Sequence, residues 1–540
     1  MIPLKYLRAG LSKATRGPFT HQSSLCSTSQ ARLASSGSPK QHKPPSPRKK
    51  LPDKINYNPD SFSQAPDPEH GSYKRVTSND LASYTEPPTR VKMLIRDFIE
   101  DSLYNPNYGY FPQQVDIFTA TDPINFQSMR DAVEFQEEVA KRYAQYGVDG
   151  STGPGRQIWH TPTELFKPWY GRAIAQCLVS EYLLKYFPYE DFVVYEIGGG
   201  NGSLAQDVLE YLQEEYPEVY DRTRYNIIEI SEKLATLQRQ KLCEQHPCVT
   251  VTTQSIFHWE KVEPAPCFFL AMEVIDNFAH DMVRYDLRTL EPYQGVVTVD
   301  ANGDYSMLYT RVTDPLISSF LSLRRRLSHP PPIPRLLKYP ALRSLYTNLP
   351  FAPNLSPPEF LPTRLLSLLR TLRKYFPRHR LLLSDFSSLP DTIPGVNAPV
   401  VQTRYQNTTV PCTTLFVKPG YFDIFFPTNF EHLRDMYEDV LSQPTSLSDS
   451  EDVGPRASPL AGGASPLSVG SGFFSSYHPK NRRTPTDGVT SSSGLPVGER
   501  KSSVFTHAEF MDTYADLART RLANGENPMV DYYKNVKFLF

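Results

Sequence analysis

Apolar positions change their period along the chain, and the changes divide it. In "TRVKMLIRDFIEDSLYNPNYGYF" the residues Val91, Leu94, Ile95, Phe98 and Leu103 recur at helical spacing, and Asn105 with Pro106 ends the run. A second helical stretch, "PWYGRAIAQCLVSEYLLKYF", covers residues 168–187. Beyond it short apolar runs alternate with helical patterns: "FVVYEIG" strand, "SLAQDVLEYLQEEY" helix, "YNIIEIS" strand, "EKLATLQRQKLCEQ" helix, then strands "VTVTTQS" and "PCFFLAMEVI". Such alternation predicts βαβ units, and so an α/β fold with a parallel sheet and helices on both faces. Later strands are expected at "GVVTVD" (295–300), "YSMLYTRV" (305–312), "RLLLSDF" (380–386) and "TTLFVKP" (413–419).

Two segments break this rhythm and read as insertions. Residues 324–378 contain "RRR", "PPPIP" and the Leu/Arg stretch "LPTRLLSLLRTLRKYF"; that pattern suits a helix packing its Leu stripe on the protein, or one lying on an anionic membrane. Packing is the expected use. Residues 443–505 are rich in Ser, Pro and Gly and are expected to be disordered.

The N-terminus adds a compartment. No acid precedes Asp53, while Lys5, Arg8, Lys13, Arg16 and Arg32 lie among Ser, Thr, Leu and Ala, the composition of a mitochondrial transit peptide over residues 1–35. Residues 36–83 read as a disordered linker, 84–442 as the main domain and 506–540 as its C-terminal part. A formal net charge of -1 gives no global pull toward nucleic acid, and no apolar run is long enough to span a membrane. The six cysteines show no C-x-x-C pair, which fits reduced thiols and no structural metal.

The chemistry concentrates in "VVYEIGGGNGSL", residues 193–204. A strand passing through glycines into a helix presents free backbone N–H groups and the positive helix end to a ligand. A P-loop would close on Gly-Lys-Ser/Thr, and no lysine follows Gly202. A dinucleotide site favours G-x-G-x-x-G, whereas Gly198, Gly200 and Gly202 form G-x-G-x-G. Glu196 would repel a pyrophosphate and suits an ammonium group; Glu229, at the end of the next strand, suits ribose hydroxyls. S-adenosyl-L-methionine carries both groups, so the expected ligand is that cofactor and the expected class a methyltransferase rather than a dehydrogenase.

These blocks, with "IEDSLYNPNYGYF", "HTPTELFKPWYGRAIA", "FFLAMEVIDNFAHDMVRYD", "VQTRYQNTTV", "PGYFDIFFPTNFEHL" and "NPMVDYYKNVKFLF", resemble the MidA-like family of mitochondrial complex I assembly factors. The resemblance implies a Rossmann-like class I methyltransferase sheet with an N-terminal helical region. It also implies S-adenosyl-L-methionine binding and methylation of an arginine on a complex I core subunit in the mitochondrial matrix. The chain departs from the family where Gly199 and Asn201 stand for Pro and Arg, and where Met272 stands for Asn. A protein of the same fold that assists assembly without methyl transfer is the competing reading.

Guanidinium becomes a useful nucleophile when a carboxylate orients it and localises its charge. Glu273 and Asp276, just past the strand "CFFLA", fall at the carboxyl edge of the sheet, where open α/β folds bind ligands. Glu273 is therefore expected to hold the target arginine and Asp276 to assist; His280 lies close behind. Tyr108, Gly109, Tyr110 and the block Thr161 to Phe166 are candidates for a lid over the cofactor.

Overall fold

The computed structural model describes residues 71–117, 122–146, 157–159, 161–350, 352–405, 408–442 and 502–540. The transit peptide expected over 1–35, most of the linker and almost all of the 443–505 segment lie outside the described residues. The principal sheet has seven strands: β1 (Phe192–Ile197), β2 (Thr223–Glu229), β3 (Val249–Thr253), β4 (Cys267–Met272), β5 (His379–Phe386), β6 (Val504–Thr506) and β7 (Val536–Leu539). Their spatial order is β6-β7-β5-β4-β1-β2-β3. β1 to β5 are mutually parallel, and β7 runs antiparallel to both β5 and β6. The chain builds outward through β2 and β3, then returns to β4 on the other side of β1. That reversal is a topological switch point, and it opens a crevice beyond the carboxyl ends of β1 and β4.

Helices cover both faces, as the alternation predicted. They are α1 (Ile95–Tyr104), α2 (Trp169–Lys185), α3 (Ser203–Glu215), α4 (Glu232–Leu242), α5 (Thr363–Tyr375) and α6 (Phe430–Ser442). On β1, Phe192 and Val194 join one apolar core, with α2 and α3, while Val193, Tyr195 and Ile197 join another, with α5 and α6. Alternate side chains of a strand point to opposite faces, so a doubly covered strand must be apolar on both. On α5, Leu365, Leu366, Leu368, Leu369 and Leu372 are all buried, each removing enough surface from water to contribute about 2 kcal/mol. The Leu stripe thus packs on the protein. α5 is also the crossover between β4 and β5, so it belongs to the core and not to an insertion over 324–378.

What separates β4 from α5 is largely a second sheet. It orders Lys74–Arg75, Val91–Leu94, Pro292–Val299, Asp281–Tyr285 and Glu359–Leu361, with Tyr305–Arg311 also paired to Pro292–Val299. Val91 and Leu94 therefore belong to a strand, not to the N-terminal helix, because they pair antiparallel with Val299 and Val296. The helix proper is α1. Regular structure also begins before residue 84: Thr77 caps a short helix through a reciprocal pair with Asp80, and Val76 and Leu81 are buried. The C-terminal part likewise begins earlier than 506, with Ser502 buried and Val504–Thr506 forming β6.

A third sheet sets Val400–Tyr405 between Thr408–Cys412 and Asp423–Phe425. The strand expected at 413–419 is absent; Leu415 and Val417 instead anchor an irregular turn closed by a Val417 N–H to Leu415 carbonyl bond of 2.9 Å. Five cysteines lie among the described residues and all are free. No helix there is long and apolar enough to cross a membrane.

Candidate functional site

The glycine loop joins β1 to α3 by three left-handed turns of the backbone. Gly198, Gly200 and Gly202 have φ of 66°, 53° and 73°, a region costly for any residue with a Cβ. Space is short as well: a Cβ on Gly202 would stand 3.0 Å from Leu242 of α4, and one on Gly199 would stand 3.0 Å from Ile227 of β2. The G-x-G-x-G spacing is thus a backbone requirement, and the loop is held by the Gly198 N–H to the Ile228 carbonyl at 3.0 Å and the Gly202 N–H to the Gly199 carbonyl at 2.8 Å.

A cavity of about 950 Å³ opens at the switch point. Gly198, Gly200, Asn201, Glu229 and Glu273 all line it, so residues from the ends of β1, β2 and β4 meet there as the sequence reading required. The N-terminal helical region supplies another wall. Tyr104 of α1 and Phe111 line the cavity with their rings stacked at 5.2 Å. Arg364, the second residue of α5, also faces it, donating to Glu100 at 2.6 Å and covering the Phe257 ring at 5.1 Å.

Glu229 is 3% exposed, and its orientation is fixed. One oxygen accepts the Ser231 N–H at 3.0 Å; the other accepts the Gln238 amide at 3.1 Å. Burial raises its pKa above the usual glutamate value, while these bonds favour the charged form. Gln238 also donates to the Gly200 carbonyl at 2.8 Å. Nothing in the sequence singled out Gln238, an amide within an amphipathic helix pattern; only the approach of α4 to the loop gives it two acceptors.

Glu196 does not line the cavity. Its carboxylate lies beneath the loop and accepts the Tyr225 hydroxyl at 2.7 Å, and burial pushes its pKa up to about 7. The expected meeting with a ligand ammonium is thus replaced by a supporting position. Strand alternation places Glu196 on the face of Phe192 and Val194, beside Tyr225. Behind the loop, Ser203 donates to Glu164 at 2.6 Å, and Lys241 donates to Ser203 at 3.1 Å and to the Asn201 carbonyl at 3.3 Å.

Past β4 the chain turns sharply. Glu273 has φ of 54°, an uncommon conformation for a residue with a side chain, and its N–H bonds the Ser384 carbonyl at 2.9 Å. Burial raises its pKa. Asp276 does not line the cavity but is buried below it, its N–H and that of Ile275 both given to Asp385 at 3.0 and 2.9 Å. Asp423 accepts Asn277 at 2.9 Å. Burial raises Asp276 to about 6 and Asp423 to about 7, and Asp385 well above its ordinary value with the charge of Asp276 adding to the rise. One oxygen of Asp276 accepts no hydrogen bond.

The lid residues fall elsewhere. Tyr108 gives its hydroxyl to Asp101 and Tyr110 is wholly buried, so neither covers the cavity; Tyr104 and Phe111 on either side do. A Cβ on Gly109 would collide with Asn105 backbone at 2.5 Å, so that glycine permits a close turn. Thr161 caps the short helix Pro162–Leu165, placing Glu164 behind the glycine loop rather than over it, while Phe166 stacks on Phe126 and Phe135. His280 is buried, stacks on Phe426 at 3.8 Å and has its pKa pushed down to about 3 by burial. It is a structural neutral ring. Among the described residues no group of His, Cys, Asp and Glu is placed to hold a metal ion.

A seven-stranded Rossmann-like sheet with a glycine cradle after β1 and a buried acid ending β2 defines an S-adenosyl-L-methionine-dependent methyltransferase fold. A family model described as "Putative S-adenosyl-L-methionine-dependent methyltransferase" matches residues 173–445, and the chain belongs to that family. S-adenosyl-L-methionine is the cofactor this membership assigns.

The chain is similar to the Schizosaccharomyces pombe "Protein arginine methyltransferase NDUFAF7 homolog, mitochondrial", 25% identical over 336 residues, which is 57% of this chain and 67% of the relative. Among solved structures it is similar to a likely methyl transferase of Burkholderia thailandensis bound to S-adenosyl-homocysteine. That match has 15% identity and a TM-score of 0.41, over 70% of this chain and 79% of the other. A native structure from the same organism matches with a TM-score of 0.40 and 15% identity, over 70% of this chain and 78% of that one.

Proposed function

We propose that this chain is a mitochondrial protein arginine methyltransferase of the matrix, acting on a core subunit of respiratory complex I in support of its assembly. The observation that carries the reading is the carboxylate group past β4. Glu273 faces the cavity, and Asp276, Asp385 and Asp423 lie buried near it. A group of carboxylates beside a cavity suits a cationic substrate, and a guanidinium offers it paired N–H donors. The mitochondrial wording and the arginine specificity in the relative's name point the same way.

The residues present fit the cofactor. The three left-handed glycines give close backbone approach, Glu229 offers an oriented acceptor for ribose hydroxyls, and Ile230, Leu234 and Phe257 supply an apolar wall for an adenine. When bound, the cofactor supplies a methyl group on an electrophilic sulfonium. Glu273 accepts paired hydrogen bonds from the substrate guanidinium, localises its charge and takes the proton released from the attacking nitrogen. Asp276 and Asp385 act as positioning residues: the Ile275 and Asp276 N–H groups donate to the Asp385 carboxylate and hold the turn that presents Glu273. Glu196 supports the loop from below. Lys241 places a cation at the loop even though residue 201 is Asn and not Arg.

The test is transfer from labelled S-adenosyl-L-methionine by the full chain to matrix extract and to isolated complex I core subunits, with the modified residue located by mass spectrometry. Label on arginine is expected. Cofactor binding without transfer to any subunit would establish the competing reading, a methyltransferase-fold assembly protein.

A further inference from the structure

Between Asp314 and Glu359 the sequence contains no acid, while Arg324, Arg325, Arg326, Arg335, Lys338 and Arg343 lie there. Some of this charge is used internally. Arg324 pairs with Glu359 at 2.7 Å, Arg326 with Asp439 at 2.6 Å, and Arg343 donates to the Leu337 carbonyl at 3.3 Å. Arg335 and Lys338 are exposed and enter no ion pair among the described residues.

The same stretch exposes apolar side chains to an unusual degree. Leu336 is 67% exposed, Tyr339 64%, Leu342 43%, Leu345 66% and Leu349 51%. They recur every three or four residues through the turn Arg335–Lys338 and the helix Pro340–Thr347, and so form one stripe along a helical path. That helix buries none of its residues. The path is nevertheless held to the body of the protein: Ile333 and Leu337 are buried, and Tyr346 packs against the core containing α5. It is therefore a fixed, outward-facing apolar ridge, and ridges of this kind mark contact surfaces.

Its charge decides which contact. A leucine stripe edged by cations, with a tyrosine among them and no acid, has the composition of a helix that lies in the headgroup region of an anionic bilayer. A second copy is a poorer occupant. A two-fold contact through this ridge would bring Arg335 and Lys338 against their own counterparts, with no acid in the segment to answer them. We propose that residues 335–349 dock this protein on an anionic lipid surface, the leucines entering the acyl boundary and Arg335, Lys338 and Tyr339 meeting the headgroups.

The full chain is sedimented with vesicles of phosphatidylcholine alone and of phosphatidylcholine with phosphatidylglycerol. The inference expects binding to the anionic vesicles that weakens as salt rises, and much weaker binding to the neutral ones. The double substitution Leu336→Glu/Leu345→Glu, and separately Arg335→Glu/Lys338→Glu, each lowers the partition coefficient by about tenfold or more. Affinity for S-adenosyl-L-methionine and the thermal midpoint serve as folding controls and stay unchanged in both. Absence of binding to anionic vesicles overturns the inference, as does equal binding by the Leu336→Glu/Leu345→Glu protein. A concentration-dependent dimer that the same leucine substitutions dissolve, without vesicle binding, also overturns it and assigns the ridge to a second copy.

Discussion

The Gln238 side-chain nitrogen donates to the Glu229 carboxylate at 3.1 Å and also to the Gly200 carbonyl at 2.8 Å. One buried amide thus fixes the acid that ends β2 relative to the loop that follows β1. In the proposed site the cofactor meets both, so their relative placement would set affinity. Gln238→Ala removes both bonds and leaves a gap under the loop; the expected outcome is about tenfold weaker S-adenosyl-L-methionine binding by calorimetry. Unchanged affinity would show that loop and acid are aligned by other contacts.

The loop's own geometry makes a separate prediction. Gly202 has φ of 73° and Leu242 stands 3.0 Å from any Cβ placed there. Gly202→Ala is expected to cost about 1–2 kcal/mol of stability, visible as a lower thermal midpoint, and to weaken cofactor binding as the N-terminus of α3 shifts. A midpoint equal to that of the parent protein would contradict the strained-turn account.

Glu196 makes stability depend on pH. Its folded pKa is raised from 4.5 to about 7 by burial, so between those values the folded state binds more protons than the unfolded one. Stability therefore falls as pH rises through this window, by about 3 kcal/mol from this group. Glu196→Gln keeps an acceptor for the Tyr225 hydroxyl and removes the charge. Denaturant titrations from pH 4.5 to 8 are expected to show a flatter profile for the variant and greater stability than the parent at pH 8. A variant less stable at pH 8 would mean that the charged carboxylate is favourably paired.

The sequence revealed the parts of the fold that are local. Alternating strand and helix patterns from Phe192 to Thr253 became β1, α3, β2, α4 and β3 because each element's apolar period is set within its own span. The glycine loop was legible for the same reason, since bare backbone at a βα turn has few other uses. The second sheet was not. Val91, Leu94, Ile95 and Phe98 match helical spacing, and only pairing with Pro292–Val299, far along the chain, makes the first two a strand. The site divides similarly. Glu229 and Glu273 were readable from their places at strand ends, whereas Asp385, Asp423, Gln238 and Tyr104 reach the region through folding alone. Glu196 lies beneath the loop beside Tyr225, a placement that a motif does not display.

In the proposed function Glu273 acts on the substrate and not on the cofactor. Its side chain faces the cavity from a turn held by the Ser384 carbonyl, while Glu229 and the glycine loop line the part of the cavity proposed for the cofactor. The most direct measurement pairs calorimetry of S-adenosyl-L-methionine binding with labelled methyl transfer for Glu273→Gln. Cofactor affinity is expected within about twofold of the parent, with transfer reduced by about 10²-fold or more. Full transfer with normal cofactor binding would contradict it.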